Sequence, residues 1–94
     1  MQERIQNACI KWRYINSTEV KYAVGWNHAQ CMDWFSTADI PAKDRDLDFE
    51  KYGFLTTSDR FVDRKEAYKI AKTAGQLRFE RDDETLYSEF VKYL

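Results

Sequence analysis

Residues 53–76 read GFLTTSDRFVDRKEAYKIAKTAGQ, and within them the chain changes its period. Gly53 to Thr57 is a short apolar-polar strand, Ser58-Asp59 is turn chemistry, and Arg60-Phe61-Val62 brings the chain back. Asp63 and Glu66 then form a D-x-x-E capping box, in which each side chain satisfies an end amide of a helix. Arg64 to Ala74 follows, with Ala67, Ile70, Ala71 and Ala74 on one stripe. Gly75 closes it at the position where φ is usually positive. Strand, turn, strand and helix in this order require a sheet that a helix covers.

Upstream, Ala8 to Ile15 alternates, placing Ala8, Ile10, Trp12 and Tyr14 on one face, with Lys11 and Arg13 on the other. Asn16-Ser17-Thr18 is a turn. Glu19 to Trp26 alternates again, with Val20, Tyr22 and Val24 aligned, so the two segments read as a β-hairpin. Asn27 can cap a helix whose Cys31, Met32 and Phe35 fall at helical spacing. Ala38 to Asp48 is polar, contains the single proline, Pro41, and reads as a solvated, mobile loop carrying Asp44, Arg45, Asp46 and Asp48.

Downstream, Gln76 to Arg81 alternates as a closing strand. Asp82-Asp83-Glu84 is a turn, and Leu86 to Leu94 is a short helix or a docking tail. The class is α+β: a small antiparallel sheet with an N-terminal hairpin and two helices, in a single domain over residues 1–94. A chain of 94 residues affords only a small core. Its 16% aromatic content suggests assembly of copies, with Trp12, Trp26 and Trp34 in core or interface.

The net charge of −1 is no footprint for duplex nucleic acid. No apolar run reaches the ~20 residues of a membrane span, and the first residues lack the apolar stretch of a signal peptide. A cytoplasmic location is expected. Cys9 and Cys31 have no metal-ligand spacing and only His28 as a possible companion, which points to free buried thiols rather than a metal site. No cofactor is expected.

Catalysis has few candidates. His28 and Cys31 lie three residues apart on one helix face, within reach of each other or simply packed in the core. Asp82 and Asp83 read as a solvated turn. The arginines say more. Arg64, at the first helical position, opposes the helix dipole unless an anion sits there; it is otherwise a surface residue. Phe54 opens a strand ahead of Thr56 and Thr57, where its ring can stack on a base while Thr56, Thr57 and Asp63 read the edge, or can fill the core. Arg78 and Arg81 alternate to opposite faces. Arg81 is the better candidate for a site, and Arg78 pairs as readily with Glu80.

The order of motifs resembles a family of small phage proteins. It comprises A-x-I-K at Ala8–Lys11, G-x-x-H at Gly25–His28, G-F-L-T at Gly53–Thr56, R-F-V-D-R-K-E-A at Arg60–Ala67, I-A-x-x-A-G-Q at Ile70–Gln76 and L-Y-S-E at Leu86–Glu89. The branch it resembles is the Thoeris anti-defence sponges. The resemblance implies binding of a cyclic ADP-ribose isomer, or of cyclic di- or trinucleotides, without cleavage, by a homodimer or hexamer. It implies Phe54 as the stacking ring, with Asp63 or Arg64, and Arg81, on ribose or phosphate; His28 completes the expected ligand-binding set. Asn27 stands where such proteins often carry Arg or His. Two other functions fit the same residues: an inhibitor that binds a host defence protein through the acidic stretches Asp44–Asp48 and Asp82–Glu84, and a small nucleotide-cleaving enzyme using His28.

Overall fold

The computed structural model describes residues 2–93. Four strands, β1 (Ile5–Trp12), β2 (Lys21–Gly25), β3 (Lys51–Thr56) and β4 (Phe61–Asp63), form one antiparallel sheet in the order β2-β1-β3-β4. Two helices, α1 (His28–Thr37) and α2 (Arg64–Thr73), pack on one face of it. Single 3₁₀ turns occupy Ala42–Asp44 and Ser88–Phe90. The α+β reading and the N-terminal hairpin hold, and the connection between β1 and β2 is longer than the turn expected at Asn16–Thr18.

The register decides which residues make the core. Ala8 pairs with Gly25 and Phe54, Ile10 with Ala23 and Tyr52, and Phe54 with Val62. Residues directly opposite share a face, and this face meets Cys31 and Phe35 of α1 and Ala67, Tyr68 and Ala71 of α2. The small residues at positions 67 and 71 let α2 approach the sheet closely. Tyr68, absent from the expected stripe, is also buried, and its hydroxyl accepts the Arg81 N–H at 2.9 Å, fixing the segment after α2.

The alternation in β2 runs the other way from an apolar-inward strand. Ala23 is buried, while Tyr22 and Val24 are 48% and 44% exposed and Val20, just before the strand, is exposed as well. The partner register, set by β1, overrides the local hydrophobic pattern.

Both helix starts follow their capping residues. The Asn27 side chain accepts from the Gln30 N–H at 2.8 Å, and the Asp63 side chain accepts from the Glu66 N–H at 2.8 Å. The second half of the expected Asp63–Glu66 box is not made, because the Glu66 carboxylate pairs with Arg60 instead. Gly75 ends α2 at φ 71°.

The loop from Ala38 to Asp48 is not a free solvated segment. Arg45 is buried, its guanidinium 3.9 Å from the centre of the Phe35 ring and 3.4 Å from the Glu50 carboxylate. Asp46 accepts two bonds from Arg13, and Tyr14 and Arg45 form a β-bridge. A buried arginine needs a carboxylate and a ring face, and both lie outside the run in which it was read.

Gln76 to Arg81 does not close the sheet. A lone bridge joins Leu77 to Val91, and the tail docks through Leu86, Ser88 and Val91. Cys9 and Cys31 are free and buried. Burial pushes their thiols up to about 12 and about 11, so both stay protonated. Among the described residues no helix is long and apolar enough to cross a membrane, and no His, Cys, Asp and Glu cluster could hold a metal ion.

Candidate functional site

The start of α1, the start of α2 and the docked tail meet around a cleft of about 560 Å³. Asn27 and His28 of the α1 start, Arg64 of α2, Arg78 after it, and Tyr87, Ser88 and Tyr93 of the tail line it, with the exposed Trp26 beside them. Each wall has a local cause. The Asn27 cap turns the first amides of α1 toward the tail, and the His28 N–H donates to Ser88 Oγ at 3.3 Å. The Arg64 carbonyl accepts the Leu86 N–H at 3.1 Å, which lays Tyr87 beside the Arg64 side chain.

The cleft gathers positive charge and aromatic rings. The Arg64 guanidinium lies 5.1 Å from the Tyr87 ring centre and 5.5 Å from that of Tyr52. Its Nε is buried with no hydrogen-bond partner, and so is the Tyr93 hydroxyl. An unpaired buried donor costs roughly 1–3 kcal/mol, and the two side chains that carry these both line the cleft. Among the described residues, neither Arg64 nor Arg78 makes an ion pair. Glu89 is the acidic side chain of the lining, against two arginines. Burial pushes the Tyr93 hydroxyl up to about 12, keeping it a donor at neutral pH. Trp26 is 59% exposed and stands edge-on to Tyr93 at 5.8 Å.

His28 lines the cleft with its Nε2–H donated to the Gly53 carbonyl at 2.8 Å. Burial holds its pKa below the ordinary histidine range, and the nearby Arg64 charge adds to that, against the opposing pull of the Gly53 bond. The ring is a neutral structural donor here. Cys31, its proposed companion, is fully buried and protonated.

Of the six residues read as ligand-binding from the sequence, the fold brings His28 and Arg64 into the cleft. Arg81 stands one ring away. Its guanidinium is 4.8 Å from the Tyr87 centre, so Arg64 and Arg81 share that ring, but Asp83 holds it at 3.0 Å. Phe54 is fully buried beneath His28, with ring centres 5.1 Å apart, and belongs to the core. Thr56 is also fully buried; its hydroxyl donates to the Glu3 carboxylate and accepts the Ser58 N–H. Asp63 is exposed, spent on capping α2, and sits on the sheet face opposite the helices.

Trp26, Arg78, Tyr87 and Tyr93 escaped the sequence reading. Glu80 pairs with Lys72 at 3.3 Å, which leaves Arg78 to the cleft. Tyr87 and Tyr93 stood in a segment already read as a tail, and nothing local says where a tail docks.

The sequence model of the family described as "Phage T4 y16D protein" matches residues 4–91 of the chain. No curated protein and no solved structure matches it. The match spans nearly the whole sequence, and the chain belongs to that family.

Proposed function

We propose that this member of the phage T4 y16D family is a non-catalytic binding protein that sequesters a small anionic nucleotide in the cleft between the helix starts and the tail. The observation that carries the reading is that Arg64, Arg78 and Tyr93 line one cleft together with the rings of Trp26 and Tyr87, the two arginines making no ion pair among the described residues. Arginine forks suit phosphate oxygens, and indole and phenol faces suit a base. A cyclic nucleotide is the ligand class that combines both needs in a volume of this size. In its sharpest form the proposal is an anti-defence sponge for a cyclic ADP-ribose isomer or a cyclic di- or trinucleotide.

Sequestration is favoured over cleavage by the state of His28. Its Nε2–H is committed to Gly53, and the Cys31 thiol on the same helix is fully buried. The experiment mixes the protein with a panel of cyclic ADP-ribose isomers and cyclic oligonucleotides, separates bound from free, heats the bound fraction and reads its mass. A ligand returned intact supports the proposal; a linear product makes the protein an enzyme, and no depletion removes the nucleotide reading. Arg78→Ala should weaken capture about tenfold or more, the loss expected for one charge-assisted hydrogen bond. Tyr93→Phe should leave the ligand-free protein as stable as before, because the hydroxyl it removes has no partner.

A further inference from the structure

Both helices cover one face of the sheet and leave the other open. On the open face the register sets Lys11 beside Tyr22 on one side and Lys51 on the other, with Cys9 beside Val24 and Gly53. The Phe61 ring lies across Gly53, with a ring atom 2.6 Å from the point a Cβ would occupy there. It meets Tyr22 at 6.1 Å between centres and 37° between planes, forming a tilted pair over the strands. Lys11 Nζ stands 5.4 Å from the Phe61 centre and 5.5 Å from that of Phe49. Arg13 stacks on the far side of the same surface, 4.2 Å from Phe49. Lys11, Tyr22, Leu55, Asp59, Arg60 and Phe61 enclose a cleft of about 580 Å³.

Two costs are left standing on this face. Lys11 and Lys51 are directly opposite on neighbouring strands, where like charges destabilise a sheet. Among the described residues neither makes an ion pair. Tyr22 remains 48% exposed, and an aromatic ring in water forgoes the gain of burial. One kind of occupant relieves both: a strand of phosphates with flat bases between them. Lysines neutralise phosphates and release counterions, and rings stack on any base.

We propose that the open sheet face is a binding platform for single-stranded nucleic acid, with Tyr22 and Phe61 stacking on bases and Lys11 and Lys51 holding the phosphates between them. An antiparallel sheet backed by two helices and presenting aromatic rings is a geometry suited to this task. Two lysines and two rings set the expected character of the contact: short, sequence-tolerant and modestly salt-dependent, with a slope of about 1.4.

The test is fluorescence anisotropy with labelled RNA and DNA strands of about 12 nucleotides, within the site size of such surfaces. Saturable binding is expected at about 50 mM salt and should weaken by about sevenfold toward 200 mM. Tyr22→Ala and Phe61→Leu should each weaken it by about tenfold, and Lys11→Gln should reduce the salt slope by about 0.7, the share of one phosphate on a single strand. Arg78→Ala, in the other cleft, should leave it unchanged, which separates this platform from the nucleotide site. Tyr22 sits half-exposed on an edge strand, so Tyr22→Ala keeps the test decisive if Phe61→Leu disturbs folding. The proposal is overturned by absence of binding, by binding that survives Tyr22→Ala and Lys11→Gln, by binding lost through Arg78→Ala, or by a sedimenting dimer that Tyr22→Glu dissociates.

Discussion

The side chain of Gln76 acts as a missing strand for Ile5. Its Oε1 accepts the Ile5 N–H at 2.8 Å and its Nε2 donates to the Ile5 carbonyl at 2.9 Å. The need arises from the register: β2 pairs only with Ala8 to Trp12, leaving the start of β1 without a neighbour on that side. The Gln76 carbonyl also accepts the Lys92 N–H at 2.7 Å, so one residue joins β1, the end of α2 and the tail.

Replacing Gln76 by leucine keeps much of the volume and removes both bonds, leaving a buried N–H and C=O unpaired. Unfolding in urea should show a loss of about 2–4 kcal/mol, with the thermal midpoint lower by roughly 10–20 °C. A loss under about 1 kcal/mol would mean that water or another group takes over the two partners.

Phe54 and Trp26 should separate stability from ligand capture. Phe54→Ala removes a fully buried ring and should cost about 3–5 kcal/mol, so any loss of capture would follow unfolding. Trp26→Ala removes an exposed ring and should change stability by no more than about 1 kcal/mol while weakening capture of a cyclic nucleotide. Chemical denaturation and binding measured on the same preparations distinguish the two.

Gly53→Ala should destabilise the sheet by at least about 1–3 kcal/mol, since its Cβ would stand 2.2 Å from the Val62 carbonyl oxygen and 2.6 Å from the Phe61 ring. The same change should displace Phe61 from the open face. Amide exchange along β3 and β4 would report both effects, and an unchanged melting curve would contradict the close approach.

His28 should make stability depend on pH below neutrality. Its folded pKa lies below the unfolded value of about 6.5, so the unfolded chain binds more protons there. The contribution is full above about 6.5 and declines as pH falls below it. His28→Gln should flatten that part of the profile. Glu3, lowered from the ordinary 4.5 to about 2 chiefly by its bonds from Arg60, acts in a separate window, its contribution fading only below 4.5. A profile flat from pH 7 to 5 in the parent protein would refute the role given to His28.

What could be read from the sequence was what short-range chemistry decides. Asn27 and Asp63 cap the helices because the cap needs a side-chain acceptor three residues from an amide, and Gly75 ends α2 because glycine adopts that φ without strain. Long-range pairing decided the rest. Tyr22 and Val24 face outward because β1 fixes their register, and Arg45 turns inward because Phe35 and Glu50 wait for it. The cleft was half legible: Arg64 announced itself by opposing a helix dipole, while Arg78 and Tyr93 acquire their places only through the docking of the tail.

That docking has a consequence for the timing of synthesis. Strands, helices and caps are all encoded before residue 77, whereas Tyr87, Ser88 and Tyr93, which wall the cleft, leave the ribosome afterwards. Until the tail swings back onto Leu77 and Gln76, the cleft lacks a wall and the core lacks Leu86 and Val91, so the proposed site and the last of the core are completed together.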